Sequence, residues 1–139
     1  IDDDPDLKSK KDLMTSISGV GDNTAALLLS ELGDPLRFRS AKALAAFAGI
    51  TPRLQESGQF RGRTMISRMG SARLRAGLYM PAISAIGYNP AIREQAQRLR
   101  ERGKAGKQIV CAAMRKLLGI VYGVLKSGQP FDVAKALAH

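Results

Sequence analysis

The 139-residue sequence has no tryptophan, one cysteine, one histidine, four Phe and three Tyr, so aromatics make up only 5% of the chain. Each shortage excludes something. Cys111 alone cannot close an internal disulfide, and it lies in the apolar run Ile109-Val-Cys-Ala-Ala-Met114, which predicts a reduced, buried thiol and a cytosolic compartment. The single histidine, His139, is the last residue, and that removes a Ser-His-Asp triad. Few rings argue against a core or binding face of stacked aromatics; Ala, Leu and Gly fill that place. Uninterrupted apolar runs such as Leu117 to Leu125 fall short of the roughly 20 residues a bilayer span needs. The opening Ile1-Asp-Asp-Asp-Pro-Asp6 is the reverse of a basic signal region, so no membrane partner is expected. Zinc-ligand spacing and a P-loop are also missing, and Asp2, Asp3, Asp4 and Asp6 sit at a chain end without further ligands. No metal site is expected in this chain.

Acidic residues are scarce after position 36, and there the charge becomes informative. The chain carries 22 Lys and Arg against 12 Asp and Glu, a net +10. Residues 1–36 hold eight acids and three bases (3 − 8 = −5), whereas residues 37–139 hold 19 bases and four acids (19 − 4 = +15). The bases are mostly arginine between Arg37 and Arg102 and mostly lysine beyond. Arginine's planar fork suits bidentate contact with phosphate, so a nucleic acid is the expected partner. A solvated basic face kept for solubility is the alternative.

Outside residues 50–70 the apolar pattern is helical, and it predicts an all-α domain. Helices are expected over 8–17 and over 22–32, the second capped by Asp22-Asn-Thr24 and ended by Gly33. Ser40 should cap a third over 41–48, ended by Gly49. Residues 50–70 have no helical period and contain Pro52, Gly58, Gly62 and Gly70, which predicts an irregular, exposed segment. A helix capped by Ser71 should run through residue 86 with a bend at Pro81. Another should start at Pro90 and reach Arg102. After a Gly-Lys-Ala-Gly turn, 107–126 is apolar on two sides and should be the central core helix. The division is one domain, with an acidic helix-hairpin-helix-like part over 1–36 and a basic part over 37–139.

Two constellations could carry chemistry. Ile17-Ser-Gly-Val-Gly21, between two short helices, resembles a helix-hairpin-helix, in which Gly19 and Gly21 would let backbone amides approach a phosphate. A tight corner that only organises the fold is the other reading; Ser18 stands where such motifs often have proline. The second is Thr51-Pro-Arg-Leu-Gln-Glu-Ser-Gly-Gln-Phe-Arg-Gly-Arg63, where Ser57 is flanked by Arg53, Arg61 and Arg63. Arginines suit a phosphoryl centre. On composition alone, however, a loop serine before a glycine is a turn residue.

Several ordered blocks carry a resemblance: Ile17-Ser-Gly-Val-Gly21, Ala45-Ala-Phe-Ala-Gly-Ile-Thr-Pro-Arg53, Glu56-Ser-Gly58, Ser67-Arg-Met-Gly-Ser-Ala-Arg-Leu-Arg75 and Leu78-Tyr-Met-Pro-Ala82. Together they resemble the C-terminal transposase domain of the DEDD-type, bridge-RNA-guided insertion-sequence transposases, over nearly the whole chain. The resemblance implies a DNA transposase of the serine-recombinase kind. Ser57 would be the nucleophile attacking a DNA phosphodiester, magnesium would be held by an N-terminal RuvC-like domain absent from this chain, and a guide RNA would direct pairing. It further implies a homo-oligomer with composite sites, an isolated domain without activity, and a bacterial, cytoplasmic protein that is nucleoid-associated when acting. The chain begins on Ile1 rather than Met, which agrees with a piece of something longer. Arg53, Arg61 and Arg63 are then expected at the scissile phosphate, and Arg68, Arg73 and Arg75 on nearby DNA or RNA backbone, from charge and proximity alone. For Arg73 and Arg75 a solvated helix face is the competing reading. For the chain as a whole it is a non-catalytic nucleic-acid-binding helical module.

Overall fold

A computed structural model describes residues 5–50 and 69–134. Its described residues form six α-helices and a 3-10 turn, with no strand: α1 (Pro5–Thr15), α2 (Asp22–Leu32), the 3-10 turn (Pro35–Arg37), α3 (Ala41–Phe47), α4 (Met69–Tyr88), α5 (Pro90–Glu101) and α6 (Gly106–Ser127). The expected all-α class holds, and each expected helix is present to within a few residues at its ends.

The caps show why the helices start where they do, and two of them differ from expectation. Ser40 does cap α3, its Oγ accepting from Ala43 N at 3.1 Å. Pro90 does occupy the first turn of α5, behind an Asn89 cap. Asp22 and its neighbours do not cap α2: the helix begins at Asp22 itself, so Gly21 is the cap residue and offers no side chain. The Asp22 carboxylate still favours the positive end of the helix dipole from within the first turn. Ser71 likewise does not cap α4, which starts two residues earlier and continues through Pro81.

Helix α6 is the central element, as its two-sided apolar pattern predicts. It packs against α1, α3, α4, α5 and the 3-10 turn. Met114, Leu117, Leu118, Val121, Tyr122, Val124 and Leu125 join Met14, Ile17, Val20, Leu28, Leu32, Leu44, Leu74, Leu78 and Ile92 in one core. Burial of each large side chain stabilises by about 2 kcal/mol, so this helix accounts for much of the cohesion. By length and composition α6 could also cross a bilayer, a property the short uninterrupted runs concealed; its burial among four other helices explains the apolar content. Polar ties close the unit. Tyr122 donates its hydroxyl to Phe38 O at 2.8 Å, and Phe131 N donates to Ser16 Oγ at 2.9 Å, fastening the C-terminal tail to the turn after α1. Lys10 sits between Asp6 at 2.9 Å and Asp34 at 3.4 Å; the bond to Asp6, helped by Asp34 and opposed by partial burial, raises its pKa above the ordinary lysine value.

One stretch of the chain is unlike the rest. From Ala76 to Ile92 the sequence has no charged residue, yet on α4 Tyr79, Met80, Ile83 and Tyr88 are 49, 66, 38 and 74% exposed.

Candidate nucleic-acid interface

Ser57, Arg53, Arg61, Arg63 and Arg68 lie outside the described residues. What the structure does place are the two ends of the segment that carries them. At the entrance, α3 closes with Gly49 N donating to Ala46 O and Ile50 N to Ala45 O, at 3.0 and 2.9 Å. Gly49 takes φ +76°, which a side chain would resist, and Ile50 is 2% exposed in the core. At the exit, α4 begins at Met69. Arg75, one and a half turns into α4, joins the two: its Nη1 donates to Ala48 O at 3.2 Å, and its guanidinium lies against Gly49, where a Cβ would collide with it. Arg75 therefore holds the entrance of the segment to its exit. The expectation of a backbone-binding arginine gains a definite structural role beside it.

Arg73 is exposed, and its Nη1 is 3.6 Å from Glu31 Oε2, tying α4 to α2. The Glu31 side chain is only 14% exposed, so a phosphate that takes Arg73 from it must compete with a partly shielded carboxylate.

The glycine turn divides into a structural half and an open half. Gly19 has φ +103°, and a Cβ there would come within 2.7 Å of Ala85 Cβ, so it is the residue that lets the turn lie on α4. Ile17 and Val20 on either side enter the core. The turn is fastened by Asn89, wholly buried, whose Nδ2 donates to Ser18 O at 3.0 Å while its Oδ1 accepts from Ala91 N and Ile92 N. Gly21 is different: it is exposed, nothing lies within 4 Å of a Cβ built on it, and its backbone is in the extended region. Gly19→Ala is expected to destabilise by about 2 kcal/mol through left-handed strain and the Ala85 contact. Gly21→Ala, with neither penalty, loses only the preference for glycine over alanine at the cap of α2 and is expected to cost about 1 kcal/mol or less. Thermal unfolding of the two variants checks this contrast. If phosphate approaches the α2 amides, it does so past Gly21, and it must do so beside exposed Asp22.

Sequence reasoning missed Asn89. Only Pro90 was read as the helix start; the Asn-Pro pair could have signalled the cap, but the tether to a turn 71 residues earlier had no local signature. It also left the basic stretch around the α5–α6 connection unassigned. Arg98, Arg100, Arg102, Lys104 and Lys107 are all exposed there. Cys111, on the second turn of α6, is half-buried rather than buried; desolvation raises its thiol pKa, opposed by the fields of Lys107 and Arg75. Among the described residues no group of three or more His, Cys, Asp or Glu side chains could hold a metal ion.

Residues 11–97 match the model of the Transposase IS116/IS110/IS902 family. Over 130 residues the chain is 41% identical to the pilin gene-inverting proteins of Moraxella bovis and Moraxella lacunata, covering 92% of this chain and 40% of each of theirs. Over 120 residues it is 32% identical to an uncharacterized 43.6 kDa protein of insertion element IS110 from Streptomyces coelicolor, covering 86% of this chain and 30% of that protein. The chain thus spans two fifths or less of the length of these relatives.

Proposed function

The chain belongs to the IS116/IS110/IS902 transposase family, and on that premise we propose that it is the part of a DNA recombinase that supplies a serine nucleophile, Ser57, for strand exchange. The observation that carries this reading is the extent of the match. It spans residues 11–97, which include the whole arginine-flanked segment around Ser57, and two relatives bear the name of proteins that invert a gene. Charge supports it, with +15 concentrated in residues 37–139.

The chemistry is a transesterification. Ser57 Oγ forms a bond to phosphorus as one P–O bond to a sugar breaks; the serine proton is lost, the departing sugar oxygen gains one, and nothing is oxidised or reduced. Reversal with a different sugar hydroxyl rejoins a strand without an external energy source, because each phosphodiester exchanged replaces another. Arg53, Arg61 and Arg63 meet the extra negative charge that develops on the non-bridging oxygens. No carboxylate set for a metal exists among the described residues. On this reading magnesium is held by a RuvC-like region outside this chain, where it neutralises phosphate charge. A guide RNA choosing the DNA partners, and a site of action on DNA in the bacterial cytoplasm, belong to the same reading.

The test is where the DNA becomes attached. Full-length protein incubated with its guide RNA, DNA and magnesium, quenched in detergent and digested, should yield a peptide containing Ser57 that carries a nucleotide remnant. A remnant on another peptide overturns the assignment, and no adduct under conditions that support recombination favours the non-catalytic binding module.

Self-association belongs to the same proposal, and the uncharged face of α4 supports a second copy of the chain as its occupant. Between two copies of a +10 chain an uncharged stretch adds no like-charge repulsion. Tyr79, Met80 and Ile83 project within about 100° of one another around α4 and are exposed there, with Tyr88 farther along the helix, so two copies can bury apolar side chains against each other. Met80→Glu is expected to abolish dimers seen by sedimentation at tens of micromolar without changing helix content; dimers of undiminished strength would place the interface elsewhere.

A further inference from the structure

We propose that the end of the bundle where α5 gives way to α6 carries a second phosphate-binding surface, formed by Arg100, Arg102, Lys104 and Lys107, beside the ends of the segment that holds Ser57. The proposal rests on the reading of this chain as a nucleic-acid handler and adds a place of contact outside the 11–97 stretch that matches the family.

Three observations carry it. The first is density without neutralisation. All four cations are exposed within eight residues, Glu101 is the one acid among them, and none has an ion-pair partner among the described residues. Arg98, by contrast, lies 3.8 Å from Glu94.

The second is that the fold alone does not account for the lysines. Arg98 and Arg100 occupy the last turn of α5, where cations complement the helix dipole. Lys104 and Lys107 stand just before and within the first turn of the 22-residue α6, at the positive end of its dipole, where a cation reduces stability. Acidic residues would serve that position better. A polyanion that gathers these lysines supplies the missing reason. The connection that presents them is also ordered: Gly103 at φ +79° lets its own N donate to Arg100 O at 2.9 Å and Lys104 N donate to Leu99 O at 3.0 Å, so the cations stand on a closed turn.

The third is location. The Cys111 thiol, on the second turn of α6, feels both Lys107 and Arg75. That brings the start of α6 to the same end of the bundle as the start of α4, where Arg75 clasps Ala48 and the Ser57 segment enters and leaves. Lys107, Lys104 and Arg100 therefore stand at the end of the bundle where Ile50 and Met69 bound the segment that carries Ser57. The ligand class is the phosphodiester backbone of a duplex, DNA or RNA, held without base contacts.

The experiment is anisotropy titration of the 139-residue chain with a labelled DNA duplex and, separately, an RNA hairpin, between roughly 50 and 200 mM salt. Lys104→Gln/Lys107→Gln should weaken binding of at least one probe by at least ~10-fold and lower the slope of log K against log salt by about 2. Arg93→Gln/Lys126→Gln removes the same charge from the far ends of the same two helices and should change that slope by less than about 0.5. Loss on DNA alone or RNA alone upholds the surface and names its ligand. Equal losses in the two double variants, or none in the first, overturn it while leaving the nucleic-acid reading intact. A wild-type chain that binds neither probe at the lowest salt overturns both.

Discussion

Asn89→Ala should lower the thermal midpoint by about 10 °C, corresponding to roughly 3 kcal/mol for a domain of this size. The number is the sum of separable losses. Asn89 Oδ1 accepts from Ala91 N at 3.1 Å and Ile92 N at 3.4 Å, so its removal uncaps α5, worth about 1 kcal/mol. Its Nδ2 is the donor to Ser18 O, and a partly buried carbonyl left without that partner adds about 1 kcal/mol or more. The vacated volume at a wholly buried position supplies the rest. Asn89→Asp separates these contributions. An aspartate keeps the acceptor for the cap but turns a carboxylate oxygen towards Ser18 O, so the cap survives while the tether becomes repulsive. Both variants should therefore loosen the 17–21 turn, seen as faster amide exchange at Val20, whereas only Asn89→Ala should fray the first turn of α5. If Asn89→Asp is as stable as wild type and exchange at Val20 does not change, the tether contributes nothing and the turn is held by Gly19 and the core side chains alone.

That residue also marks the boundary of what could be read from the chain. Helix positions were legible because each rests on a local signal: Ser40 three residues before Ala43, Pro90 at the head of an amphipathic run, and the double-sided apolar pattern of α6. The caps of α2 and α4 were misplaced for a local reason too. Asp22 and Ser71 are good capping residues, but α2 starts on Asp22 itself and α4 two residues before Ser71, so both fell inside. Contacts between distant segments had no such signal. Nothing in the composition of Arg75 distinguishes a guanidinium bonded to Ala48 O from one waiting for phosphate, and Gly19 and Gly21 are the same residue two positions apart, one needed against Ala85 and the other open. The site was legible in another way. Neither Ser57 nor its arginines could be promoted above a polar turn by chemistry alone, and it was the order of several blocks along the chain that pointed to a family, which the match over 11–97 then showed.

Ser57→Ala in the full-length protein should abolish the covalent protein–DNA adduct, with the rate of strand exchange falling at least ~10³-fold, equivalent to about 4 kcal/mol of transition-state stabilisation. DNA affinity should remain within about twofold of wild type, because the change removes one hydroxyl and no charge. This pairing of lost chemistry with kept binding separates a nucleophile from a turn residue. A serine that only shapes the segment would, when replaced, move affinity and rate together, and the adduct that formed would still be covalent. Arg53→Gln, Arg61→Gln and Arg63→Gln give the complementary result. Each should slow adduct formation by roughly 10- to 100-fold while the adduct still forms on Ser57, since a cation that stabilises developing charge lowers the barrier without supplying the bond. Their DNA affinity should also become less salt-dependent, which Ser57→Ala leaves untouched. Should Ser57→Ala form adduct at the wild-type rate, the nucleophile lies elsewhere in the protein, and this chain's +15 stretch is a binding surface for chemistry performed outside it.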